Sequence, residues 1–383
     1  MRIRQLSQAE FLSAGSWWDS LLARSPADSF FLRHAWLCAW WRHFGEGREL
    51  RVMVAETAEG VIAGVAPWCL SKETDLGLPV GEIGFLGREG ATGDYLDVFA
   101  EPDQHAEVLR LCVAALLKDT GWDLLKISDV LETSPTLDAL TADARERGLS
   151  VAPGKSQLCP YLPLPATWDA FLASVSANMR SNLRRKEKKL AALGARIEEA
   201  HGDAIGPALD TLFELHGARW ETKGKTGNFI DPRLRAFHHE VAPLLDRENA
   251  LGLWTAIIDG KPAAAIYGFR HWRSESREAR DVPRGAAGGR FLYYQAGFDP
   301  AFAEHGVGLA IMGHAIRRSI ESGLTEFDYL RGDEDYKRRW TDKARHTRTL
   351  IISRPSLRGL AWRTLTSGKE TAKRLLGREP ASP

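Results

Sequence analysis

The segment from Arg290 to Trp340 limits the fold of this chain more than any other stretch. Residues 291–298 (Phe-Leu-Tyr-Tyr-Gln-Ala-Gly-Phe) predict a strand that turns at Asp299-Pro300 and enters a helix through Gly306-Val-Gly308. Over residues 307–322, Leu309, Met312, Ala315, Ile316 and Ile320 recur with the period of one helical face packed on a sheet. Gly323 stands where a helix stop is expected, and residues 326–331 (Glu-Phe-Asp-Tyr-Leu-Arg) predict a second strand. The cluster from Gly332 to Lys337 follows. A glycine-rich step from strand to helix leaves unpaired backbone N–H groups and a partial positive charge at the helix start, which suits a phosphate. A tight turn that merely needs glycine reads equally well from Gly306-x-Gly308 alone.

The rest of the chain repeats this plan. Residues 50–56 and 61–70 predict a hairpin turning at Glu59-Gly60, with strands at about 82–87 and 95–99, a helix at about 103–118 and a strand from Trp122. Some 200 residues later, 251–258 and 261–270 flank Asp259-Gly260 as a second hairpin, followed by the helix and strand already described. A duplicated unit of meander, helix and strand implies an α/β protein of two tandem domains, each a mixed, mostly antiparallel sheet flanked by helices. Pro153-Gly154 and the proline-dotted 159–165 mark the connection, giving domains 1–153 and 154–354 and a basic helical tail, 355–383. Residues 273–289 interrupt what should be a short hairpin and read as a mobile insertion. Trp36, Trp40 and Phe44 recur at i, i+4 and i+8, a stripe that belongs in a core.

At 383 residues, 44% apolar and 26% charged, the chain suits two soluble globular domains, and a net charge of +1 gives no global pull toward nucleic acid. No apolar run approaches a spanning helix, and no apolar stretch follows Met-Arg-Ile-Arg-Gln as a secretory leader would require, so a cytoplasmic protein is expected. Cys38, Cys69, Cys112 and Cys159 are widely spaced, with no Cys-x-x-Cys and no histidine cluster, and predict reduced core residues and no metal.

After a helix capped by Thr167, residues 178–190 (Asn-Met-Arg-Ser-Asn-Leu-Arg-Arg-Lys-Glu-Lys-Lys-Leu) form a basic helix. Met179, Leu183, Leu190 and Leu193 hold one face, while Arg180, Arg184 and their basic neighbours crowd the others. It is either a solvated face or an anion- or nucleic-acid-binding one. Together with Leu215-His-Gly-Ala-Arg-Trp220, Tyr293-Tyr-x-x-Gly-Phe-Asp-Pro300, Gly306-x-Gly308 and Phe327-Asp-Tyr-Leu-Arg-Gly-Asp-x-x-Tyr-Lys337, this helix resembles the GNAT acyltransferase superfamily. Within it, the sequence is similar to the CelD-like, Fem-related branch with two GNAT-like domains in tandem. The resemblance spans about 30–353, and its motifs are specific in the second half and generic in the first.

That resemblance implies an N-acyltransferase using acetyl-CoA or another acyl-CoA. The pantetheine would lie between two splayed strands, with Gly297 and Phe298 on the first and Gly306, Val307, Gly308 and Leu309 cradling the pyrophosphate. The family's phosphate loop opens with Gln or Arg where Ala303 stands here; Arg317, Arg318 or an arginine of the insertion are the candidate replacements. The amine nucleophile needs a general base, for which Asp328 is the first candidate and Asp333 and Glu334 the next. Tyr336 is placed to protonate the leaving thiolate, and the Fem-related pattern sets Lys337 near the oxyanion. His216, Arg219 and Trp220, at i, i+3 and i+4, together with Arg180 and Arg184, are the candidate acceptor-binding residues, expected in the cleft between domains. The first half has Glu101-Pro-Asp-Gln where the phosphate loop would be, and reads as a degenerate copy.

The expected acceptor is an amine on a small molecule, envelope saccharide or peptide. Two alternatives stand: an aminoacyl-tRNA-dependent peptide ligase, in which tRNA is the nucleic-acid partner, and a non-enzymatic scaffold in polysaccharide biosynthesis. In the tail, Leu357, Leu360, Ala361 and Leu365 with Arg358 and Arg363 predict a basic amphipathic helix. It either meets an anionic membrane surface or packs its leucines on the second domain.

Overall fold

A computed structural model describes residues 1–91, 93–221, 224, 226–272 and 288–375. The chain forms two compact units: Met1–Ser156 with His346–Pro383, and Gln157–Arg345. The second boundary differs from the one the sequence suggests, because the strand after residue 343 returns to the first unit.

In the first unit β1 (Arg2–Gln5) leads to α1 (Gln8–Leu12), α2 (Gly15–Arg24) and α3 (His34–Phe44). Trp18, Trp36 and Trp40 of these helices are fully buried, so the tryptophan stripe is core. The antiparallel meander β2 (Arg48–Glu56), β3 (Ile62–Asp75) and β4 (Leu78–Phe85) follows, then the short β5 (Phe99–Ala100), α4 (His105–Lys118) and β6 (Leu124–Leu131). β6 runs parallel to β4 through Glu82↔Leu124 and Ile83↔Leu125. α5 (Pro135–Glu146), capped by Ser134, and the start of β7 (Ser150–Pro163) complete the stretch. The expected proline-dotted connection holds the boundary between the units, and it is itself a strand, β7.

The second unit begins within β7 and continues through α6 (Trp168–Ser174), α7 (Ala177–Ala192), β8 (Arg196–Glu199), α8 (Ile205–Glu221) and α9 (Pro232–Arg247). A second antiparallel meander follows, β9 (Leu251–Ile258), β10 (Lys261–Trp272) and β11 (Gly289–Phe298). α10 (Val307–Glu321) then leads to β12 (Glu326–Asp328), parallel to β11, and to α11 (Asp335–Arg338). β12 pairs on its other side with residues 161–163 of β7. The order meander, helix, parallel strand thus recurs in both units. β13 (Ala344–Ser353) pairs antiparallel with β6, and α12 (Leu357–Leu375) packs Trp362 beside Val80 and Leu124, so the last segment belongs to the first unit. The expected insertion at 273–289 lies almost wholly outside the described residues. All four cysteines are free and buried; burial pushes the Cys69 thiol up to about 11 and that of Cys112 up to about 12.

Candidate active site

β11 and β12 pair in parallel through Arg290↔Glu326, Phe291↔Phe327 and Leu292↔Asp328. Beyond that point β11 continues to Phe298 while the other chain turns away at Leu330, whose φ is +54°. A β-bulge sharpens the divergence. Tyr267 pairs with Gln295 and Gly268 with Tyr293, which leaves Tyr294 as the extra residue. Where the strands part, a cavity of about 240 Å³ opens within the second unit. Its floor is apolar (Ala265, Ile266, Ile311, Met312 and Trp340), its charged lining residues are Arg219 and Arg339, and Tyr293 and Tyr336 stand on its wall. A larger groove, about 800 Å³, runs between α4 and α5 of the first unit. Alanines and prolines make up half of its lining, with His105, Arg110, Glu146 and an Asp143–Arg147 ion pair among the rest, and none of the candidate site residues read from the sequence lies in it.

Gly297, Phe298, Gly308 and Leu309 line the smaller cavity. Gly297 also has a packing role: a Cβ there would come within 2.3 Å of the His216 backbone nitrogen, so only glycine lets α8 lie this close to β11. Gly306 caps α10 in the left-handed conformation, φ +73°. The N–H groups of Leu309 and Ala310 return to its carbonyl, so the positive end of a fifteen-residue helix opens at Val307 and Gly308. The Val307 side chain is wholly buried in the core, leaving only its backbone for a ligand. A Cβ on Gly308 would meet nothing within 4 Å. This cradle is therefore open on the cavity side.

Of the candidates for the missing phosphate-loop side chain, Arg317 and Arg318 do not stand there, and the arginines of the insertion lie outside the described residues. Arg317 and Arg318 lie near the far end of α10, roughly 15 Å along the axis, and both bind Glu321 at 2.9 Å. The cation at this helix start is Lys186 of α7. Its Nζ donates to the Glu304 carbonyl at 3.3 Å, and a Cβ on Gly306 would lie 2.5 Å from its Cε. Arg180, by contrast, points back to the Leu172 carbonyl at 3.0 Å, and Arg184 is exposed; neither lines the cavity.

The α8 residues separate by role. Arg219 reaches the cavity, its guanidinium 5.5 Å from the Phe298 ring and 5.7 Å from the Tyr336 ring. His216 is buried, and its Nε2 accepts from the Trp220 indole at 2.9 Å. Burial and the neighbouring Arg219 charge hold the imidazole down to about 4, so it is neutral near pH 7. Of the expected shared acceptor face Arg219 lines this cavity, while Trp220 donates to His216 and neither of those two lines it.

The Tyr293 and Tyr336 rings lie side by side, centroids 6.4 Å apart, with the Arg219 guanidinium over Tyr336. Burial first, then mutual proximity and the Glu334 charge, push the Tyr336 phenol far above its ordinary range, and burial raises Tyr293. Both are proton donors at neutral pH. The sequence places Tyr293 at the head of a motif without a chemical role of its own; its position just beyond the last β11–β12 pair is a property of pairing.

Asp328 is fully buried, and its Oδ1 accepts from the Leu330 N–H at 2.8 Å; burial raises its pKa. It shapes the turn and is sealed from the cavity. Asp333 is exposed and paired with Arg338, which holds its carboxyl below the usual range. Glu334 is the candidate whose charge acts on Tyr293 and Tyr336. Lys337 is also buried: its Nζ donates to the carbonyls of Leu330 (3.4 Å), Arg331 (2.8 Å) and Gly332 (3.3 Å) and pairs with Glu334 at 2.9 Å. It does not line the cavity, so the geometry does not favour the oxyanion role. Among the described residues, no group of three or more His, Cys, Asp or Glu is placed to hold a metal.

A family model described as an acetyltransferase (GNAT) domain matches residues 177–274 and 285–338. Among solved structures, FemX is similar at 13% identity, covering 91% of this chain and 97% of that one, with a TM-score of 0.59. A conserved protein of unknown function from Bacteroides thetaiotaomicron VPI-5482 follows at 10% identity, 92% and 100% coverage and a TM-score of 0.54. The C-terminal domain of a putative lysylphosphatidylglycerol synthetase from Agrobacterium fabrum gives 11%, 93% and 95%, and 0.50. No curated protein matches the sequence. The family match falls within the second unit, which is similar to acetyltransferase (GNAT) domains, and the fold over most of the chain is similar to that of FemX.

Proposed function

We propose that the second unit transfers a short acyl group, acetyl or one of similar size, from coenzyme A to the amine of a small molecule, envelope saccharide or peptide. The observation that carries this reading is the continuity of the cavity from the parting of β11 and β12 to the open Gly308 face at the start of α10. The exposed edge of β11 offers backbone groups to the amides of an extended pantetheine. The helix start and Lys186 suit a pyrophosphate. The apolar floor suits an uncharged acyl group; an aminoacyl donor would bring an ammonium there, at a desolvation cost. The amine nitrogen bonds to the thioester carbon and the carbon–sulfur bond breaks, the amine proton passing through water to Glu334, which stands outside the cavity lining but whose charge is felt by Tyr293 and Tyr336. Tyr336 then supplies the proton to sulfur, with Tyr293 and Arg219 packed beside its ring. Lys337 fixes the turn that carries Tyr336.

One observation favours the second reading, transfer from aminoacyl-tRNA: the exposed basic face of α7, with Arg184, Arg185, Lys188 and Lys189. Thermal unfolding with coenzyme A, acetyl-CoA or charged tRNA separates the two, since a ligand stabilises the fold it binds. We expect acetyl-CoA to raise the melting temperature of the native chain and not of Gly308→Asp, which places a carboxylate in the cradle. A shift with charged tRNA alone, or an acetyl-CoA shift that survives Gly308→Asp, would overturn the assignment.

A further inference from the structure

We infer that α12 is a docking surface for an anionic lipid bilayer. The helix packs inward through Gly359 and Trp362, both buried, and Trp362 donates its indole N–H to Asp75 Oδ2 at 2.9 Å. Its start is pinned by Ser356, whose hydroxyl donates to Asp123 and accepts from the Gly359 N–H. With one face so committed, the opposite face carries Leu357, Leu360 and Leu365, which are 89%, 44% and 44% exposed. Their spacing of three and five residues places them on one side of the helix, beside Ala361 and Thr364. The sequence offered two fates for these leucines, membrane contact or packing; the inward face instead uses the tryptophan.

The charge around that stripe selects the occupant. Arg358 and Arg363 are exposed and fall on opposite flanks of the leucines; Arg358 lies 4.0 Å from Asp123. From residue 355 onward the chain has six basic residues (Arg358, Arg363, Lys369, Lys373, Arg374 and Arg378) against Glu370 and Glu379. Apolar residues outward with arginines on both borders suit insertion between headgroups while the cations meet lipid phosphates. A second copy of the chain would bring like charges together along the same borders. Among the described residues no helix is long and apolar enough to cross a membrane, so the contact is peripheral.

The test uses the full chain and vesicles of phosphatidylcholine with and without phosphatidylglycerol. We expect co-sedimentation with the phosphatidylglycerol vesicles at low salt and release as salt rises. Leu360→Glu with Leu365→Glu should weaken binding about tenfold or more, and Arg358→Glu with Arg363→Glu by a similar factor. All four positions are exposed, so melting temperatures should stay near that of the native chain. Retention in the supernatant, equal binding to neutral vesicles, or a concentration-dependent dimer abolished by the leucine changes would each overturn the inference.

Discussion

Lys337→Met should produce first a stability defect, with any loss of turnover well below 10²-fold. The ammonium is 3% exposed and bonded to three carbonyls that converge because Leu330 and Gly332 adopt φ values of +54° and +120°. Methionine matches the aliphatic stem and removes all the donors. The carbonyls then lose a charged partner, each such loss costing about 1–3 kcal/mol when buried. The contacts at 3.3 and 3.4 Å are long, and Glu334 is 55% exposed, so its ion pair adds little. The total is about 3–5 kcal/mol, the range for removing one partner from a buried charge network. For a unit of this size that lowers the melting temperature by roughly 6–20 °C. Scanning calorimetry measures the shift. Coenzyme A affinity and turnover with a surrogate amine, measured well below the lowered transition, test the chemistry. An unchanged melting temperature with turnover lost by about 10²-fold or more would place the ammonium at the reacting carbonyl and refute this reasoning.

Two further outcomes follow from the same geometry. Tyr336→Phe removes the phenolic proton and keeps the ring beside Arg219; turnover should fall about 10²-fold with coenzyme A affinity within a factor of about two. Equal turnover would leave Tyr293 as the donor. Acid should destabilise the second unit, because burial lowers His238 to about 3 and His216 to about 4. A histidine depressed in the fold lets the unfolded chain bind more protons, so stability is full above about 6.5 and falls as pH drops toward the folded values. At pH 5 each group has withdrawn about 2 kcal/mol. Urea midpoints of His238→Asn should therefore change less between pH 7 and 5 than those of the native chain, and parallel curves would count against the linkage.

Much of the second unit is legible because its signals are local. The Asp259-Gly260 turn, the apolar period of α10 and the two glycines before it each need a few neighbouring residues, and the structure has a hairpin, a helix and an open helix start there. β7 was hidden by Pro153, Gly154, Pro160 and Pro163, which are turn formers on average. The strand is real because its partners are supplied from elsewhere: residues 161–163 pair with β12. Similarly, β13 returns to β6, more than 200 residues earlier, and no local pattern carries that choice.

The site was harder to read than the fold, and for one reason: the residues that the motif brings together divide between chemistry and architecture only once burial is known. Asp328, Tyr336 and Lys337 lie within ten positions and read as one constellation. In the structure the carboxylate caps the Leu330 turn, the ammonium gathers the next carbonyls, and only the phenol reaches the cavity. The same division separates Arg219 from His216 and Trp220. Lys186 shows the converse. Its sequence context is one basic residue among many, and its partner, the Glu304 carbonyl, is 118 positions away. A charge run read as a whole conceals the single member that the packing of Leu183 and Leu190 turns toward the helix start. A buried polar group must find its partners and an exposed one need not. Local motifs therefore nominate the residues of a site, while long-range pairing decides which of them are free to react.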